Sequence, residues 1–218
     1  MEETDDQGVQ DPGVQTSFHI QRARAGDRDS LSWMVRRFSP LLLAQARYRL
    51  GRDLLSFYEP EDLVAEVWAV VLARLESMGP GPEHRTPALL RFLGTTLVYQ
   101  ANHLARRHIR KEAAARGSDL AGSATDTGLL SQLPAETSGV LTRAVREERK
   151  GFLLACIDAL DPRDREIVIL RGIEQHENQE VAERLDMKPD TVSHRYRRAL
   201  DKLREKLPGS VFDELEKD

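Results

Sequence analysis

Between Asp161 and Leu207 the chain carries two proline-marked helix starts and a three-residue break, and this punctuation leaves few folds open. Asp161-Pro162 supplies a capping carboxylate and a proline at the first helical position, with Asp164 near the positive end of the helix dipole. Ile167, Leu170 and Ile173 then face inward. Asn178 is expected to cap a short helix, "QEVAERL", whose Val181, Ala182 and Leu185 are apolar, the small Ala182 suiting a close helix crossing. After the turn "DMK", Pro189 begins "PDTVSHRYRRALDKLREKL". With Val192 at zero on a wheel of about 100° per residue, Tyr196, Ala199 and Leu203 fall within roughly 40° of it. Asp190, Ser193, His194, Arg197 and Arg198 take the opposite side. A helix-turn-helix needs this division, with one face on the first helix and the other in a DNA major groove.

Charge supports the same reading. The chain of 218 residues has a formal net charge of −4, yet residues 188–204 hold six bases and two acids, whereas 161–187 hold four bases and eight acids. An ordinary helical hairpin with a solvated face would also carry charge, but it would not need the sign to switch at the turn. Arginine can grip guanine bidentately or neutralise phosphate, and serine and histidine do either more weakly. Segregation runs along the whole chain: 1–15 hold five acids and no base, 16–116 hold sixteen bases and ten acids, and 207–218 hold one base and four acids. An acidic total is therefore no argument against nucleic-acid binding.

The rest of the chain reads as helix. "SLSWMVRRFSPLLLAQARYRL" puts Leu31, Met34, Val35 and Phe38 on one face, and Ser39-Pro40 reads as a cap and first turn that restart a helix. "EPEDLVAEVWAVVLARLESM" repeats the device with Leu63, Val67, Val71 and Leu75 in register. "MGPGPEHRTP" is a loop by its Gly/Pro content, and 88–111 form another long helix. With no strand-like alternation, the expected fold is all-α: two small helical domains joined by a flexible linker. The expected boundaries are a disordered acidic leader at 1–15, a first domain at 16–115, a Gly/Ser/Ala/Thr-rich linker at 116–145, a helix-turn-helix domain at 146–207 and an acidic tail at 208–218.

Several classes are disfavoured. No apolar run approaches the roughly 18 residues of a membrane span, and the polar, acidic start is unlike a secretory signal. The single cysteine, Cys156 in "FLLACIDAL", rules out an internal disulfide and a multi-cysteine zinc site, and reads as a buried hydrophobe in a reducing cytoplasm. "HENQE" lacks the second histidine of a zinc-protease helix, so no metal is expected. No phosphate loop or catalytic triad is present, so neither cofactor nor enzymatic activity is expected.

The segment "LDPRDREIVILRGIEQHENQEVAERLDMKPDTVSHRYRRALDKLRE" resembles region 4 of bacterial RNA polymerase sigma factors. The stretches "GDRDSLSWMVRRFSPLLLAQARYRL", "EPEDLVAEVWAVVLARL" and "LLRFLGTTLVYQANHLARRHIRK" resemble their region 2, and the order resembles the extracytoplasmic-function (ECF) type. The resemblance covers about residues 18–112 and 146–206. It implies a sigma factor that binds RNA polymerase core, through its clamp coiled coil and its flap, and directs promoter DNA recognition and transcription initiation. Region 4 would read the upstream element with Lys188, Asp190, Thr191, Ser193, His194, Arg197 and Arg198. The helix opened by "EPEDLVAEVW" would dock on polymerase through Glu61, Asp62, Leu63 and Glu66, although its acids would suit any helix N-terminus and its apolar residues a core. Such factors are commonly held by an anti-sigma protein. Two departures fall at the turn: Asp186 replaces a usual glycine, and Lys188 replaces a usual capping serine, exchanging a cap of about 1 kcal/mol for a phosphate-facing cation. Asp190 would repel phosphate unless it accepts from a cytosine amino group.

On a wheel with Leu93 at zero, Leu90, Leu97 and Leu104 face inward, while Phe92, Thr95, Tyr99, Asn102, His103, Arg106 and Arg110 share another face. Alternating rings, amides and cations suit unpaired bases, and promoter melting is the expected task of this stripe. Half-buried rings beside solvated arginines would give the same pattern. Two other functions fit parts of the sequence: a stand-alone helix-turn-helix regulator of duplex DNA, and a helical metal-dependent hydrolase built on "HENQE".

Overall fold

The structure is a computed structural model and describes residues 12–75, 85–115 and 151–215. Among them there is no strand, and the fold is all-α. The expected linker and most of the expected leader lie outside the described residues.

Four helices make the first half: α1 (Pro12–Arg24), α2 (Arg28–Leu55), α3 (Pro60–Leu75) and α4 (Arg85–Ala115). Helix α2 starts at the N-cap Asp27, whose carboxylate accepts from the Ser30 N–H at 3.1 Å. The expected restart at Ser39-Pro40 does not occur. Helix α2 runs through Pro40, and the Ser39 hydroxyl donates back to the Val35 carbonyl at 2.6 Å while accepting from the Trp68 indole N–H at 2.9 Å. Buried Leu41, Leu42 and Leu43 follow directly, so continuing the helix into the core outweighs the proline's missing N–H. The real break comes at Gly51, whose φ of 62° turns the chain in a conformation that favours glycine.

Helices α2, α3 and α4 close over Met34, Phe38, Val67, Trp68, Val71, Leu89, Leu90, Leu93 and Leu97, all at or near zero exposure. Burying a side chain of this size contributes about 1.5–3 kcal/mol, so this cluster sets the angle at which α4 presents its outer face. Leu63, Val67 and Val71 lie in the core as their spacing predicts.

The second half begins with α5, described over 151–158, followed by α6 (Pro162–Ile167), which widens into a π-helical stretch at Val168–Ile173. Asp161 caps α6 as expected, accepting from the Arg163 N–H at 3.0 Å. Every residue from Ile167 to Ile173 is buried, because this stretch is sandwiched between the first half and the hairpin that follows. That hairpin is α7 (Asn178–Leu185) and α8 (Pro189–Lys206). The cap of α7 is Glu177 rather than Asn178: the Glu177 N–H donates to the Glu180 carboxylate at 3.2 Å, a longer acid closing the turn from inside the helix. The Asn178 amide reaches instead to the Pro189 carbonyl at 3.1 Å and ties the two helix starts together.

A 3-10 turn, Val211–Glu214, follows α8. Val211, Phe212 and Leu215 are buried, so the segment read as an acidic tail packs its apolar side chains into the molecule. The two halves meet along α2 and α4. Glu174 accepts from Gln45 at 2.9 Å and from both Nε (2.7 Å) and Nη2 of Arg49. Tyr48 donates to Glu166 at 2.7 Å. Gly94 gives room for this approach, since a Cβ there would stand 3.2 Å from the Ile173 carbonyl oxygen and from Glu174 Cα.

Candidate nucleic-acid interface

The reader helix is built as its spacing requires. Val192, Tyr196, Ala199 and Leu203 are buried, and Val181, Ala182 and Leu185 of α7 meet them. Asp186 takes the left-handed conformation (φ 52°, ψ 53°) that ends α7, a geometry its short polar side chain tolerates. Lys188 stands at the N-cap of α8 with no side-chain cap bond. The buried Arg171 guanidinium lies 4.5 Å from the Tyr196 ring centroid, and burial lowers its pKa from the usual arginine value. Tyr196 is thereby fixed from below, which fixes the register of α8.

On the outer face, Lys188, Asp190, Thr191, His194, Arg197 and Arg198 are exposed and Ser193 is half-buried. A shallow depression on this face is lined by Thr191, His194, Arg195, Arg197, Arg198 and Asp201. Arg195 is the residue that sequence reasoning missed. Its Nη1 donates to the Asp164 carboxylate at 2.6 Å and to Asp161 at 3.2 Å, and the Arg198 Nη2 lies 3.5 Å from the other Asp164 oxygen. The Asp164 side chain is only 1% exposed. The Arg163 N–H, with help from Arg195, also holds the Asp161 carboxyl below the usual aspartate range. A carboxylate expected only to suit a helix dipole thus anchors two cations of the reader. Nothing in local spacing marks that pairing, because Asp164 and Arg195 are 31 residues apart. Arg197 points from the same face and makes no ion pair among the described residues.

The α4 stripe is also placed outward. Thr95, Tyr99, Asn102, His103, Arg106 and Arg110 are exposed, Tyr99 at 70%. From Tyr99 to Arg110 the stripe spans about 16 Å of helix. Phe92 differs: it is half-buried and packs against the core, so its ring is largely occupied. On α3, Glu61 and Asp62 are exposed and Glu66 is half-buried, but Leu63 is 3% exposed and belongs to the core. Leu63 is therefore turned into the core, and the side chains that the start of α3 exposes are its acids.

The "HENQE" histidine, His176, sits between Glu174 and Glu180, 3.1 Å from each. Among the described residues no group of three or more His, Cys, Asp or Glu side chains is placed to hold a metal. Cys156 is buried, as its surroundings predict. No helix among the described residues is long and apolar enough to cross a membrane.

An α-helical hairpin with a left-handed turn, a tightly fixed second helix and a cationic outer face has the arrangement of a helix-turn-helix. Residues 153–203 match the family model described as Sigma-70, region 4. Among solved structures, CnrH in complex with the cytosolic domain of CnrY is 17% identical, covering 87% of this chain and 95% of that one, with a TM-score of 0.35. The RsbN-BldN complex is 18% identical, covering 86% of this chain and 99% of that one, with a TM-score of 0.27. A search of curated proteins gave no match.

Proposed function

We propose that the chain is a sigma factor of the ECF type and that its two outer faces divide one task. The α8 face reads duplex DNA upstream, through Arg197 and Arg198 with Lys188, Thr191, Ser193 and His194 beside them. The α4 stripe captures bases once the duplex has opened downstream, with Tyr99 as the stacking ring and Arg106 and Arg110 on the backbone. The acidic start of α3, with Glu61, Asp62 and Glu66, is the surface offered to RNA polymerase core.

The observation that carries this proposal is the separation of chemistry between the faces. Cations and hydroxyls on α8 are suited to base edges and phosphates of a closed groove. An exposed ring among amides and cations on α4 is suited to unstacked bases. A protein that only bound duplex would need the first face alone. Melting costs unstacking energy, and captured bases together with polymerase contacts would offset it.

Gel-shift titration of promoter duplex, with and without core polymerase, tests the reading. Specific binding should be weak for the chain alone and strong once core is added. Tight, specific duplex binding that core does not change would favour a stand-alone regulator and overturn the proposal.

A further inference from the structure

Glu214 lies in a segment whose four acids and one base, over residues 207–218, suggest a solvated surface, yet its side chain is 2% exposed. Its partners come from three different helices of the first half. Oε1 accepts from the Thr16 hydroxyl of α1 at 2.9 Å and from Arg37 of α2, through Nε at 3.1 Å and through Nη2. Oε2 accepts from the Thr86 hydroxyl of α4 at 2.6 Å. Arg37 also donates through Nη1 to the Gly209 carbonyl at 3.1 Å, and its guanidinium lies 5.1 Å from the Trp33 ring centroid. Both carboxylate oxygens are thus met by donors, one of them a guanidinium that is itself mostly buried.

The segment carrying Glu214 is held equally firmly to the second half. Arg204 of α8 donates through Nε to the Phe212 carbonyl at 2.9 Å and through Nη2 to the Leu215 carbonyl. Ser210 caps the 3-10 turn, and the Gly209 N–H donates to Asp213 at 2.7 Å. Val211, Phe212 and Leu215 fill the space beneath, and Leu215 Cδ1 lies where a Cβ on Gly172 would meet it at 3.3 Å.

We propose that Thr16, Arg37 and Thr86 form a carboxylate-binding site on the first half, and that its ligand is Glu214 of this same chain. The chemical class the site takes is an acidic segment with apolar residues directly before the acid, here Val211-Phe212-Asp213-Glu214. Residues 209–215 act as a clasp: one side is built into region 4, and the other plugs a site on the first half. Its consequence for DNA, that the α8 reader and the α4 stripe are held at one fixed distance while the clasp is closed, rests on the proposed function. The site itself does not.

Hydrogen exchange and small-angle scattering on the full chain test this, using Glu214→Gln, Thr86→Val, Arg37→Gln and the Arg37→Gln/Glu214→Gln double variant. Exchange at the start of α4 and in α1 around Thr16 should quicken by roughly tenfold or more in Glu214→Gln, with an increase in radius of gyration. The α7–α8 hairpin should keep its wild-type protection. Thr86→Val, which removes one donor without disturbing the charge pair, should give a smaller change in the same direction. The double variant should lose little more than either single variant, since both break one contact. Unchanged exchange in α1 and α4, equal loss of protection in the hairpin, or additive effects in the double variant would each overturn the clasp. None of these readouts involves polymerase, so failure here leaves the transcription reading standing, and failure of transcription leaves the clasp standing.

Discussion

Helices α8 and α4, the two proposed to contact DNA, present cations in different ways. On α8 the basic face is scaffolded: the buried Asp164 holds Arg195 and faces Arg198, and Arg171 fixes Tyr196 beneath. On α4 the stripe is open, with Tyr99 at 70% exposure and Asn102, His103 and Arg106 exposed around it. A prearranged face suits a ligand of fixed shape, such as a duplex groove. An open row of rings and cations suits a ligand that changes shape, such as a strand leaving its partner. Arranging side chains before binding spares the cost of ordering them at the moment of contact.

The comparison breaks most directly at Arg197. Replacing it with alanine should cost about 1–3 kcal/mol, roughly ten- to a hundredfold in upstream-element affinity, and should relax selectivity at one base position. Binding measured across a set of single-base promoter variants checks this; an unchanged profile would remove Arg197 from the groove. Tyr99→Ala should lose about tenfold in promoter opening on duplex, from a stacking contribution of about 1–3 kcal/mol, and less on a promoter already melted. Equal losses on both templates would mean that the ring serves the fold.

Asp164→Asn should have a subtler effect. With the buried charge gone and Asp161 its remaining ionic partner, Arg195 is held less firmly, so discrimination between promoters should fall more than overall DNA affinity, by a few-fold. A uniform loss across all sequences, or a collapse of the hairpin seen by circular dichroism, would contradict an ordering role.

The smallest expected effect concerns the contact between the halves. Burial, together with the hydrogen bond to Glu166, pushes the Tyr48 phenol up from 10.0 to about 12. A group whose folded pKa is raised stabilises the folded form fully below its unfolded value and loses that contribution as pH climbs through the folded one. The Tyr48–Glu166 contact should therefore be intact up to about pH 10 and weaken between about 10 and 12. Ultraviolet titration of the tyrosines should show one late-ionising group that disappears in Tyr48→Phe.

The hairpin was largely legible in the sequence, because α8 is amphipathic over its whole length and its proline and turn mark both ends. Asp186 in a left-handed turn and Lys188 without a capping bond follow from the family resemblance read together with residue type. What could not be read was long-range polar pairing. Glu174, Asp164 and Glu214 are three acids among 36, and no local rule says which will be buried against an arginine more than thirty residues away. Leu63 had two readings, core by its register and docking surface by the resemblance, and its burial favours the first. Pro40 shows the same balance, with core burial carrying α2 through a residue that usually starts a helix.

The central claim is that both faces serve one initiation event on RNA polymerase. Run-off transcription with purified core polymerase, with and without the chain, over a library of promoter templates tests it most directly. The account predicts that core alone gives no specific transcript, that adding the chain yields discrete starts at a subset of templates, and that Arg197→Ala and Tyr99→Ala each reduce them. Specific transcripts independent of the chain, or none with it on any template, would contradict it.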